Sequence, residues 1–290
     1  MGGHNSFSGA EFGYLYAQGR DPAENPYLDW TTPNMSRIYD YVLGGSANFA
    51  ADRRVADELL RTWPGERDYA LINRAFLARA VTELCRAGID QFLDLGSGIP
   101  TRGNVHEVAA TVRPGTRVAY VDIDPVAVEH ARRLVTDAGD PLTTATLADI
   151  RDPQRVLAAP GVAGLLDFDR PVAVLALAVL DILDTPDPAG LVAAYRDACV
   201  PGSALAISNA QPMNITDAEL QAVGAIMAET TTPTMVLRST DELATLFAGY
   251  DLLEPGVVPS AAWRPESPVS DEETARSNSL AAVGVLRPDS

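Results

Sequence analysis

Gln91-Phe92-Leu93-Asp94-Leu95-Gly96-Ser97-Gly98-Ile99-Pro100-Thr101 is a short apolar run that opens into two glycines one residue apart. The run is long enough for one strand, and the glycines let the backbone turn sharply and approach a ligand with no Cβ in the way. A dinucleotide-binding turn would carry a third glycine three positions after the second, and Thr101 stands there instead. Gly-x-Gly by itself is equally a plain strand turn, so the segments around it decide its meaning.

Downstream, strands and helices alternate. Arg117 to Asp122 reads as a strand, and Pro125 sits in the first turn of the helix after it. Thr143 to Leu147, the apolar run Val172 to Leu180 and Ala204 to Ser208 are the next strands, with helices from Asn104 to Val112, from Pro153 and from Pro188 to Cys199. Such βα units build a parallel sheet covered by helices on both sides. The tail adds helices at Thr216 to Glu229 and Thr240 to Phe247, then strands at Tyr250 to Leu253 and Leu280 to Leu286 that would close the sheet edge. The expectation is an α/β fold with a mostly parallel, seven-stranded, Rossmann-like sheet. In such a sheet ligands sit beyond the carboxyl ends of the strands, where the strand order reverses. Asp122 ends the second strand, where a carboxylate reaches the ribose hydroxyls of an adenosine ligand and repels a 2′-phosphate. Asp149 follows the third strand, where it could accept a hydrogen bond from an adenine amino group. Each aspartate alone is an ordinary turn or cap residue; with the glycine turn they point to adenosine binding.

Upstream, Asn34 or Ser36 can cap a helix through Leu43 that Gly44-Gly45 stop. Residues 50 to 62 form a second helix, and Ile72, Phe76, Ala80 and Leu84 mark a third that Gly88 ends. Eight aromatic residues, Phe7, Phe12, Tyr14, Tyr16, Tyr27, Trp30, Tyr39 and Tyr41, fall in the first 41 positions. The chain therefore divides into an aromatic arm and helical cap, 1–88, and a ligand-binding domain, 89–290. The arm either packs on its own domain or covers a flat apolar substrate.

Composition removes other chemistries. All 22 basic residues are arginine, so Schiff-base lysines, Gly-Lys-Ser/Thr phosphate loops and Tyr-x-x-x-Lys pairs are excluded. A net charge of −17 repels phosphate backbones, and the arginines from Arg53 to Arg86 are interleaved with acids, so no nucleic-acid partner is expected. Cys85 and Cys199 stand alone, and His4, His106 and His130 lack metal-ligand spacing, so no metal site is expected. No run approaches the ~20 apolar residues of a membrane span, which points to a cytoplasmic protein.

Four phrases, Phe92-Leu-Asp-Leu-Gly-Ser-Gly-Ile-Pro-Thr101, Asn104-Val-His-Glu-Val108, Tyr120-Val-Asp-Ile-Asp-Pro125 and Leu252-Leu-Glu-Pro-Gly256, resemble the S-adenosylmethionine methyltransferases of the DUF574 group. So does Asn34-Met-Ser-Arg-Ile-Tyr-Asp-Tyr-Val-Leu-Gly-Gly45 with Asn48-Phe49, the most distinctive block. The resemblance runs from about residue 31 to 287. It implies a class I methyltransferase fold under an N-terminal helical cap, S-adenosylmethionine as cofactor and S-adenosylhomocysteine as product. Carried over, Gly96, Ser97 and Gly98 would cradle the methionine moiety, Asp122 the ribose and Asp149 the adenine edge, with Asp94, Ile123, Ile150 and Ala178 alongside. Arg37, Tyr41, Gly44 and Asn48 would close from the cap, with Arg37 or Arg74 to pair with the cofactor carboxylate.

The family pattern usually has a histidine where Asp181 stands, after strand four, and another where Asn209 stands, after strand five. With both imidazoles missing, Asp181 remains as a weak base or as the group orienting an N–H or cationic substrate, with Tyr41 as a second catalytic candidate. Tyr14, Tyr16, Tyr27, Trp30, Asp181 and Asn209 are the substrate-binding candidates. Together with the aromatic arm, they favour a small aromatic substrate with a nitrogen or electron-rich carbon nucleophile, such as an indole. Some methyltransferases resembling this chain methylate tryptophan-derived natural products at the indole C3. The alternatives are a non-catalytic S-adenosylmethionine-binding protein and a nicotinamide-dependent oxidoreductase. A monomer or a homodimer is compatible with the pattern.

Overall fold

The computed structural model describes residues 29–101, 103–232 and 235–288. Tyr14, Tyr16 and Tyr27 therefore lie outside the described residues. Among the described residues eight strands form one sheet: β1 Gln91–Leu95, β2 Arg117–Asp122, β3 Thr143–Leu147, β4 Ala173–Leu177, β5 Ala204–Ala210, β6 Tyr250–Leu252, β7 Val258–Pro259 and β8 Ser279–Leu286. Their order is β3-β2-β1-β4-β5-β8-β6, with β7 paired to β8. The first five are parallel, and β8 runs antiparallel to β5, β6 and β7. The sequence predicts seven of these strands; two-residue β7 is too short to show a period.

Side chains alternate between two apolar layers, as strands buried on both faces require. Leu93, Val174, Ala176, Leu205 and Ile207 point into one cluster, and Phe92, Leu175, Leu177, Ala204 and Ala206 into the other. The helix Gly65–Arg86 covers the second face with Phe76, Leu77, Ala80, Val81 and Leu84. It is thus a layer of the sheet domain, although the sequence groups it with the cap. The helices Met35–Val42 and Ala50–Thr62 form the cap proper. Ile38, Val42, Val55, Leu59 and Trp63 pack on Val223, Ile226 and Met227 of the helix Asp217–Met227.

The distinctive N-terminal block folds around one buried carboxylate. Asp40 Oδ2 accepts from Ala47 N–H at 2.9 Å and Asn48 Nδ2 at 2.8 Å, and its Oδ1 accepts from Thr101 Oγ1 at 2.9 Å. One side chain thus closes the turn after the first cap helix and ties it to the loop after β1. A Cβ at Gly45 would collide with this carboxylate, which is why the Gly-Gly pair ends in glycine as well as beginning with one. Replacing Asp40 by alanine strands several donors inside the cap. Urea unfolding should show a loss of about 3 kcal/mol, and a loss below about 1 kcal/mol would mean the turn holds without it.

Candidate functional site

Strand order reverses between β1 and β4, and a cavity of about 640 Å³ opens beyond the carboxyl ends of the parallel strands, beneath the cap. Its two ends differ in chemistry.

At the first end, Gly96 and Gly98 have φ of +66° and +62°, backbone that side chains rarely adopt. A Cβ on Gly96 would collide with Val179 just past β4. Gly98 N–H donates to Asp122 Oδ2 at 2.7 Å, and Asp124 N–H donates to Asp122 Oδ1 at 2.8 Å. Burial raises the proton affinity of Asp122, and these backbone bonds oppose the rise. Asp124 caps the helix Pro125–Ala138 through Oδ1, which accepts from Val126 N–H at 3.2 Å. Its other oxygen is buried with no partner among the described residues. Burial holds the Asp124 carboxyl up near 6, against the pull of Arg37. Asp94 is also buried and is pushed up to about 7, mainly by burial, with Arg74 pulling the other way. Ile123 presents an exposed apolar face at this end, beside buried Ile150. Ala178 follows β4 with φ of +52° and donates its N–H to Ser208 Oγ at 3.0 Å.

At the second end the lining is aromatic and apolar, with Tyr39, Leu59, Trp63, Tyr69, Met227 and Met235. Two acids face it. Asp181 Oδ2 accepts from Ala210 N–H at 2.9 Å and from Tyr69 OH at 3.2 Å, while buried Oδ1 has no partner among the described residues. Burial raises its proton affinity despite those bonds. Glu66, in the first turn of its helix, is 6% exposed. Burial, with the charge of Asp181 adding to it, pushes the Glu66 carboxyl up to about 8.

The cavity brings together twelve of the expected residues: Arg37, Arg74, Asp94, Gly96, Ser97, Gly98, Asp122, Ile123, Asp149, Ile150, Ala178 and Asp181. Three of them are already engaged. Arg37 is not free to meet a cofactor carboxylate, because it donates to Asp52 Oδ1 at 3.2 Å, Asp29 O at 3.2 Å and Thr32 O at 2.7 Å. Asp149 forks onto Arg151 at 2.6 to 3.0 Å. Arg74 donates to Gly103 O and Asn104 Oδ1.

Five of the expected residues stand away from the lining. Tyr41, expected to act in catalysis and on the cofactor, donates its OH to Asp57 Oδ1 at 3.0 Å on the outer side of the cap. Gly44 is exposed and serves the helix-ending turn at φ +83°. Asn48 is spent on Asp40 Oδ2 and Gly45 O. Asn209 is buried behind β5, where Nδ2 donates to Ala210 O and Val236 O, and Oδ1 accepts from Arg238 at 2.6 Å. Trp30 is 43% exposed on the surface.

Sequence reasoning missed Glu66, Tyr69 and Asp124. Asp124 carried a readable signal in Asp122-x-Asp124-Pro125, where a second acid directly precedes the helix. Glu66 and Tyr69 carried none, because an acid in a first turn and an aromatic at a helical spacing look ordinary.

The sequence profile of a family described as S-adenosyl methyltransferase matches residues 21–287. A candidate methyltransferase of Thermobifida fusca YX aligns over 92% of this chain and 100% of its own, with TM-score 0.84 and 39% identity. A DUF574 family protein of Streptomyces avermitilis MA-4680 aligns over 90% and 99%, with TM-score 0.79 and 35% identity. Magnesium protoporphyrin IX methyltransferase of Synechocystis PCC 6803, solved with bound SAH, shares the fold at 14% identity and TM-score 0.50, over 79% of this chain and 93% of that one. No curated protein matches the chain. No helix among the described residues is long and apolar enough to cross a membrane.

The buried acids make a prediction about pH. Asp124, Asp94 and Glu66 hold protons up to about 6, 7 and 8 in the folded protein, but lose them near 4 once unfolded. The folded state binds more protons, so stability falls as pH rises through these values. Half-buried His106, whose proton affinity is lowered, opposes this only at and below its ordinary value near 6.5. Between pH 6.5 and 8.5 the Tm of the ligand-free protein should drop by several degrees, with a shallower fall in Glu66→Gln; a flat or rising Tm in both would contradict the assignment.

Proposed function

Because the chain belongs to the S-adenosyl methyltransferase family and is an S-adenosylmethionine-dependent methyltransferase, we propose that it methylates a small aromatic molecule seated at the tyrosine- and tryptophan-lined end of the cavity. In its most specific form, the acceptor is a carbon or nitrogen of an indole in a tryptophan-derived compound. The observation that carries this reading is the two-ended cavity. One end has a ligand-approachable glycine turn flanked by buried carboxylates, and the other has an apolar, aromatic wall formed jointly by cap and sheet.

The first end suits the cofactor. Gly96 to Gly98 leave room for the methionine portion, and Asp122 has both oxygens fixed by backbone N–H groups, so it faces a ribose without having to reorganise. The orphaned Asp124 oxygen is an acceptor still waiting for a hydroxyl. Ile123 and Ile150 offer apolar contact to an adenine ring. The bound cofactor supplies a sulfonium methyl that is already strongly electrophilic. The protein's own share is therefore positioning, water exclusion and, where the acceptor loses a proton, a base. Asp181 suits the last role through its open Oδ1, while Ala210 N–H and Tyr69 hold Oδ2 in place. The same reading makes the protein a cytoplasmic monomer or homodimer acting without nucleic acid, in line with its net charge of −17.

S-adenosylhomocysteine should raise the Tm of the protein and NAD should not; the reverse would sink the cofactor assignment. Asp122→Ala should weaken S-adenosylhomocysteine at least about tenfold, the loss of roughly one charge-assisted hydrogen bond. Methyl transfer from labelled cofactor into a panel of indoles, phenols and amines should favour indoles. Asp181→Ala should slow that transfer at least about tenfold while leaving S-adenosylhomocysteine affinity within about twofold. Unchanged turnover would remove Asp181 from the catalytic groups.

A further inference from the structure

Neither acid at the aromatic end is ion-paired among the described residues, although the charge of Arg238 pulls on Asp181 from a distance. Glu66 makes no side-chain hydrogen bond among the described residues, and neither it nor Asp181 forms an ion pair there. Asp181 leaves Oδ1 buried and bare. The groups around them are Tyr39, Tyr69, Arg74 and Arg238. Tyr39 OH is committed to Ala70 O at 3.0 Å, and accepts from Asn73 Nδ2. Tyr69 already donates to Asp181. Arg74 reaches toward the loop after β1, and Arg238 donates to Leu180 O and Asn209 Oδ1 rather than to either carboxylate.

Two buried carboxylates that face a cavity, lack any protein cation between them and sit beside aromatic rings form a ready seat for a cation from outside. We propose that Glu66 and Asp181 form a subsite for a protonated amine carried by the methyl acceptor, so that the substrates are aromatic amines with an alkylammonium group. This rests on reading that end of the cavity as the acceptor's seat, narrows the substrate class within it, and gives Asp181 Oδ1 to the ammonium of an amine acceptor, so that its role as base is kept for acceptors without one. Tyr39, Tyr69 and Trp63 supply ring faces that suit both the aromatic body and the ammonium. Neither carboxylate alone explains the arrangement. Asp181 could be a turn residue and Glu66 a first-turn acid, but together they leave two unmatched acceptors at one spot in an otherwise apolar wall.

The proton balance is specific. In the ligand-free protein the high proton affinity of Glu66 keeps a proton on the pair at neutral pH. An incoming ammonium keeps its own three protons and restores the pair's charge, so the pair's proton leaves to solvent. Binding of an amine therefore releases about one proton, and binding of a neutral isostere releases none.

The test is calorimetry with the full chain saturated with S-adenosylhomocysteine, at pH 7.0, in two buffers of unlike ionisation enthalpy. Three probe pairs separate charge from shape: tryptamine against 3-propylindole, phenethylamine against propylbenzene, and hexylamine against 1-hexanol. We expect at least one amine to bind about 30-fold more tightly than its neutral partner, with about one proton released. Glu66→Gln should cut that preference to within about threefold and abolish proton release, leaving the neutral partner's affinity unchanged. Should Glu66→Gln fail to fold, Asp181→Asn makes the same comparison. No amine preference in any pair, no binding by any probe, or a preference that survives the substitution would overturn the proposal. Equal binding within every pair, with the aromatic probes bound, overturns the amine subsite but keeps the aromatic reading. Tight binding of hexylamine alone does the opposite.

Discussion

Two backbone N–H groups, those of Gly98 and Asp124, donate to the two oxygens of one buried carboxylate, Asp122, and the rest of the site depends on that pairing. It joins the turn after β1 to the turn after β2. The bonds are charge-assisted, and a carboxylate buried without them would be expensive. Held this way, Asp122 fixes where the glycine turn lies, and Gly96 then brings that turn against Val179 at the end of β4. Three strand ends become one rigid floor. The left-handed backbone at Gly96 and Gly98 follows directly: any other residue would need a strained φ, and at Gly96 it would also need Val179 to move.

The same device recurs one layer up. Asp40 gathers donors from the turn after the first cap helix and one donor, Thr101, from the loop after β1. The position that would be the third glycine of a dinucleotide turn is thus occupied by a residue that works through its hydroxyl. A glycine there would remove the direct hydrogen bond between cap and floor. Replacing the glycine with Thr101 changes the turn from one that only admits a ligand to one that also positions the roof above it.

The parallel strands, the glycine turn and Asp122 were legible because each has a local signature: an apolar run, a pair of small residues, an acid at a strand's end. The aromatic end was only half legible. Asp181 announced itself by standing where a histidine is usual, whereas Glu66 sits 115 residues earlier in a helix whose first turn reads as solvated. The fold alone brings the two together. The cap follows the same rule. Tyr41, Gly44 and Asn48 belong to a distinctive block, and in the fold Gly44 and Asn48 build the turn that Asp40 organises while Tyr41 bonds Asp57. Asn209 likewise supports Arg238 behind β5 instead of facing the cavity.

A chain without lysine has only arginines as permanent cations, and here the buried ones act as struts. Arg37 spans Asp52 and two backbone carbonyls of the segment before the cap, and Arg238 links the turn after β4 to Asn209. A guanidinium offers five donors in a fixed fork, so it holds several acceptors at once and is poorly suited to moving a proton. The acids receive the complementary task. Asp94, Asp124, Asp181 and Glu66 are buried around the cavity with fewer partners than their oxygens could take, at a cost in stability that the ligand-free protein bears. That cost is confined to the cavity wall, where occupancy by donors or a cation can relieve it. These under-partnered carboxylates thus make the stability of the fold and the filling of the site two aspects of one electrostatic balance.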